Sequence, residues 1–137
     1  MGYDVDFMAV GDGSRSGDAI AVRWGNLHGA RGDQVVAIID GGFTATGETL
    51  VAHVEQHYGT DTVDVVVSTH PDDDHTNGLY AVLEKMRVGC LVMHQPWKHT
   101  DDIARLFKDG RVTDQSVGEH LRRSLDSARG LERLAEK

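Results

Sequence analysis

The sequence has one cysteine, Cys90, so no internal disulfide can form and no oxidised scaffold supports the fold. No apolar run approaches the ~20 residues needed to span a bilayer. The start, Met1-Gly2-Tyr3-Asp4-Val5-Asp6, lacks the basic region and long apolar stretch of a signal peptide. A cytoplasmic protein with no membrane segment is the expectation. Basic residues are also scarce: 14 Lys and Arg stand against 22 Asp and Glu, a net charge of −8. This balance opposes nonspecific nucleic-acid binding, which needs clustered cations to neutralise phosphates. It does not oppose metal binding, because metal ligands are themselves acidic. There is no GxxxxGKS/T phosphate loop and no GxSxG nucleophile elbow.

What is present suits one soluble domain. At 137 residues the chain can bury roughly two-thirds of the surface it exposes unfolded. Its composition, 39% hydrophobic and 26% charged, is that of an ordinary globular protein. Tyr3 to Val10 alternates loosely and reads as a strand, as does Gly17 to Trp24. Gln34 to Asp40 is a continuous apolar run of the kind buried on both faces. Leu50, Val51, Val54 and Tyr58 form a helical stripe over Thr46 to Tyr58, with Gly59 placed to stop it. Val63 to Thr69 is the next strand, Asn77 to Arg87 the next helix, and Cys90 to Met93 a short strand in which Cys90 should be a buried small hydrophobe. Thr100 can cap a helix bearing Ile103, Leu106 and Phe107. Ser116-Val117-Gly118-Glu119 is a capping box opening a last helix whose interleaved charges form a solvated face. The order predicts an α/β class, with helices covering a mixed sheet.

The chemistry is concentrated in Ser68-Thr69-His70-Pro71-Asp72-Asp73-Asp74-His75-Thr76-Asn77-Gly78. This segment follows a predicted buried strand, and the carboxyl ends of such strands are where α/β sheets bind ligands. His70, Asp72, Asp74 and His75 are potential ligands, and Pro71 pushes His70 toward an extended conformation. Three adjacent carboxylates would repel one another in a partly desolvated loop. A divalent cation would relieve that repulsion and use neutral imidazoles as nitrogen ligands. The alternative is a solvated acidic turn with a helix-capping Asp, which explains neither flanking histidine. His94, Trp97 and His99 are candidates for the rim of a pocket at the same sheet edge, against a packing role. His28, His53, His57 and His120 read as surface or structural residues.

His70-x-Asp72-x-Asp74-His75 resembles the HxHxDH signature of the metallo-β-lactamase superfamily, with Asp72 in place of the middle histidine. Gly17-Asp18-Ala19-Ile20 resembles the GDAI segment, and Ile39-Asp40-Gly41-Gly42 the IDGG segment, that precede that signature. With these flanks the variant is most similar to the hydrolase domain of the bacterial competence protein ComEC and its stand-alone relatives, over about residues 5 to 95. The resemblance implies that His70 and Asp72 ligate a first metal and that Asp74 and His75 ligate a second, Asp74 also being the expected catalytic residue. It implies that Asp40 orients the loop by hydrogen bonding, with Thr69 and Asp73 supporting it. The implied activity is hydrolysis of a small-molecule ester or phosphodiester by a metal-bound hydroxide. Zinc is the expected ion, and Asp72 hardens the site enough to make manganese or magnesium candidates, with up to two ions bound.

The resemblance also implies an αβ/βα sandwich, of which residues 1–137 would form the first half. One layer of helices would then cover one sheet face and leave the other open. An open apolar face seeks a partner, so a homo-oligomer or a partner chain is expected. The competing reading is a non-catalytic metal-binding module that dimerises through that face. A DHH-type phosphoesterase would also use Asp and His metal loops, but it leaves the GDAI and IDGG segments unexplained.

Overall fold

A computed structural model describes residues 1–11, 14–99 and 125–137. Five strands form one mixed sheet whose spatial order equals the chain order: β1 (Gly2–Phe7), β2 (Ala19–Gly25), β3 (Gln34–Gly41), β4 (Thr62–Ser68) and β5 (Arg87–Met93). β1, β2 and β3 pair antiparallel; β3, β4 and β5 pair parallel. The parallel pairs require crossovers. These are α1 (Thr44–His53), prolonged by a π-helical turn over Val54–Tyr58, and α2 (Asp73–Lys85). A third helix, α3 (Asp126–Ala135), packs on α2 through buried Ala128 and Leu131. Among the described residues no helix is long and apolar enough to cross a membrane.

The core lies between the helices and one sheet face. Ala19, Ala21, Val36, Ile38 and Val66 meet Leu50, Val54, Leu79, Val82 and Leu131 there. The opposite face is also apolar. Phe7, Ile20, Ile39, Val67 and Val92 are register partners across all five strands, and Tyr3 is aligned with Trp24. That side is open: Tyr3 and Phe7 are 76% and 75% exposed, and Val5, Trp24 and Val92 are also exposed.

β1 thus inverts the usual rule of apolar residues toward the core. Its acids point to the helices, where Asp4 accepts from Arg23 and Asp6 accepts from the Tyr58 hydroxyl at 2.6 Å. His53 Nε2 lies 3.0 Å from the same Asp6 oxygen. The Tyr58 hydroxyl bond, helped by His53, lowers the Asp6 pKa despite some desolvation. Burial, and then Asp6 itself, raises the Tyr58 pKa well above its ordinary value. A carboxylate with a depressed folded pKa stabilises the fold above its unfolded value of about 3.9, and loses that contribution as pH falls through the folded pKa. Asp6→Asn should therefore lower the urea midpoint near neutral pH. The two midpoints should converge in acid below about pH 4; a gap independent of pH would refute the ion-linked role.

Several boundaries differ from the sequence reading. The periodicity predicts a helix from Asn77, but α2 begins at Asp73. Its first turn is polar and shows no apolar stripe, yet Asp73 and Asp74 suit the positive end of a helix dipole. β5 begins at Arg87 rather than Cys90. Cys90 is exposed, not buried, because β5 is an edge strand and Cys90 aligns with Val65 on the open side. Gly59 does end the helical segment, in the left-handed conformation at φ 68°. The helix expected after Thr100, the capping box at Ser116 and His120 lie outside the described residues.

Candidate metal centre

The centre is assembled where β3 and β4 end side by side. Asp40, at the end of β3, is 2% exposed and adopts φ 55°, a left-handed conformation costly for most side chains, which Asp and Asn enter more readily than others. One carboxylate oxygen, Oδ1, accepts the Thr69 backbone N–H at 2.8 Å. The other accepts the Thr69 hydroxyl at 2.5 Å and lies 2.9 Å from His75 Nδ1. Asp40 thus fixes both the exit from β4 and the first turn of α2. A carboxylate on Nδ1 sets the tautomer and leaves Nε2 as the nitrogen free to bind a metal.

The rings of His70 and His75 lie with centroids 3.7 Å apart. Asp40, His70 and His75 each offer a ligand atom, all within 4.8 Å of one another, so this group could hold a metal ion. Asp72 and Asp74 flank the rings. His70 Nε2 is 3.8 Å from an Asp72 oxygen, and His75 Nε2 is 3.8 Å from an Asp74 oxygen. Two ligands of one tetrahedral zinc, each at ~2.1 Å, stand ~3.4 Å apart, so each pair needs only a small adjustment to share an ion. The Asp40 oxygen nearest the rings is already engaged by Thr69 and His75, whereas the Asp72 side chain is 68% exposed and the Asp74 side chain 33%.

Close backbone packing positions this loop. Gly78 N–H donates to the Gly42 carbonyl at 2.9 Å. A Cβ on Gly78 would collide with the Gly41 carbonyl, and one on Gly47 with the Gly78 carbonyl. A Cβ on Gly17 would meet the Asp74 carbonyl. The 14–18 loop therefore lies against the metal loop, and Asp18 approaches to 3.9 Å from His75 Nδ1.

Other sequence candidates are dispersed. Asp73 accepts from the Ser127 hydroxyl at 2.7 Å and so ties α2 to α3. Trp97 Nε1 donates to Glu132 of α3 at 3.0 Å, a packing contact away from the loop. His94 lines a cavity at the ends of β4 and β5, whereas His99 is exposed beyond it. His53 is held by Asp6, while His28 and His57 are exposed. Sequence reasoning did not single out Asp18 or the contacts of Gly41, Gly47 and Gly78. Asp18 and Gly41 do lie inside the GDAI-like and IDGG-like segments. Gly47 and Gly78 carry no signal beyond an unexpected glycine in a helix.

No protein-family model, curated protein or solved structure matches this chain.

Proposed function

We propose that the protein is a metal-dependent hydrolase of the metallo-β-lactamase type, acting on an ester or phosphodiester. The observation that carries this reading is the pairing of each free imidazole Nε2 with its own carboxylate at 3.8 Å, above a buried Asp40. In this reading His70 and Asp72 hold one divalent ion, and Asp74 and His75 hold a second. Zinc is the first candidate, with manganese or magnesium next. A bound divalent ion lowers the pKa of a coordinated water and polarises the scissile group. Asp40 keeps the proton of His75 on Nδ1 and holds Thr69 in place. Asp72, the more exposed carboxylate, faces solvent where substrate would arrive.

Calorimetric titration with zinc and manganese, followed by hydrolysis assays on generic ester and phosphodiester substrates, tests the reading. His70→Ala combined with Asp74→Ala should abolish tight binding, and unchanged affinity would remove the assignment. Metal binding without turnover on any substrate would refute the hydrolase.

A second reading, a metal-binding module that assembles through its sheet, is favoured by the exposure of Tyr3 and Phe7 at 76% and 75%. Both readings lead to an assembly that covers the β1–β2 side of the open face, where Tyr3, Phe7 and Trp24 are exposed. Light scattering should report a dimer or larger species, and Phe7→Glu should shift it toward monomer. A monodisperse wild-type monomer that binds no apolar dye would refute this assembly.

A further inference from the structure

A cavity of about 390 Å³ lies at the carboxyl ends of β4 and β5, lined by Val67, Ser68, Thr69, Val92, Met93 and His94. We infer that it is an acyl subsite, which takes the apolar acyl group of a carboxylic ester cleaved at the neighbouring centre. The inference rests on the hydrolase reading and narrows its substrate class.

Three observations carry it. The cavity is joined to the centre through Thr69, which lines it and also donates its backbone N–H and hydroxyl to Asp40. A group seated there is therefore one residue from His70. The lining pairs the apolar Val67, Val92 and Met93 with Ser68, Thr69 and His94. The buried Ser68 hydroxyl is turned to the His70 carbonyl. Finally, among the described residues none that lines the cavity is Lys or Arg, and residues 68–78 contain neither. An anionic group seated in the cavity itself would find no side-chain cation among these residues, while a neutral acyl group leaves no anion unpaired. The volume falls within the ~300–1,000 Å³ range of small-molecule pockets, enough for a medium-length acyl chain or an aryl ring. Each methylene seated in such a pocket should favour binding by a few-fold.

Two measurements on the full chain test the inference. In the first, the metal-loaded protein is offered para-nitrophenyl acetate and para-nitrophenyl hexanoate. The expected result is a kcat/KM at least about tenfold higher for the hexanoate, and Val67→Trp, which fills the cavity, should erase that preference. Equal rates on both esters would overturn the acyl subsite and leave the hydrolase standing. The second measurement needs no activity. Hexanamide should shift the Met93 methyl resonance of the metal-free protein saturably, acetamide should not, and Val67→Trp should abolish the shift. If neither ester is cleaved, the carboxylic-ester form of the hydrolase reading falls while a phosphodiesterase stands, and this titration still decides whether the cavity takes an acyl group. A Met93 signal indifferent to hexanamide would overturn the inference in either case.

Discussion

Asp40→Ala should lower stability by about 3 kcal/mol and weaken divalent-metal binding by about 10- to 100-fold. The stability loss follows from what the side chain satisfies. Asp40 accepts the Thr69 N–H, the Thr69 hydroxyl and His75 Nδ1 from a position only 2% exposed. Removing it orphans the buried His75 nitrogen, at about 1–3 kcal/mol, and the part-buried Thr69 N–H, while the hydroxyl can turn elsewhere. Alanine is no better suited than Asp to φ 55°, so no strain is relieved. Asp40→Asn separates the two effects. Asn tolerates the left-handed conformation and keeps an acceptor, so most of the stability should return. Metal affinity should return less, because a neutral amide makes His75 a weaker donor to metal. Urea unfolding and calorimetry on both variants check this. Wild-type metal affinity in Asp40→Ala would show that Asp40 does not orient the histidines.

Gly78→Ala should be at least as damaging, at about 3 kcal/mol or more by overpacking. The added Cβ would meet the Gly41 carbonyl and approach Gly47 N, both of them backbone that cannot swing aside. Separating β3, α1 and α2 would also displace the first turn of α2, which carries Asp74 and His75. Gly47→Ala strains the same crossing from the other side, so the double variant should cost less than the sum. Gly32→Ala is the control, since nothing lies within 4 Å of its added Cβ. Thermal denaturation of the four variants decides this. A Gly78→Ala protein as stable as Gly32→Ala would mean that the crossing can relax.

Much of this architecture was legible in the residues, for identifiable reasons. The buried strands β3 and β4 are runs of Val and Ile that admit few other readings. The helical stripe from Leu50 to Tyr58 lies in the segment where α1 and its π turn form. The loop from His70 to His75 was conspicuous because acids and imidazoles crowd a strand end. The start of α2 was missed because its first turn earns its stability from the helix dipole and from Ser127, not from an apolar stripe. Cys90 was misplaced because residue type alone does not say which side of an edge strand is covered. The left-handed turn at Asp40 had no sequence marker, as Asp is common in ordinary strand ends.

The identity of spatial and sequential strand order has a consequence for how the chain reaches its native state. Each strand is laid beside its predecessor in the chain, but β3, β4 and β5 pair in parallel across helical crossovers, the non-local kind of pairing that forms slowly. Among the strand pairings, the centre depends on one. Ile39 opposite Val67 is the register that sets Asp40 within reach of Thr69. A slip of one residue there would turn the side chains of β4 to the wrong faces and carry Thr69 away from Asp40. Correct pairing of β3 with β4 and assembly of the centre are therefore a single event, and a divalent ion that favours the assembled centre would also select against the misregistered sheet.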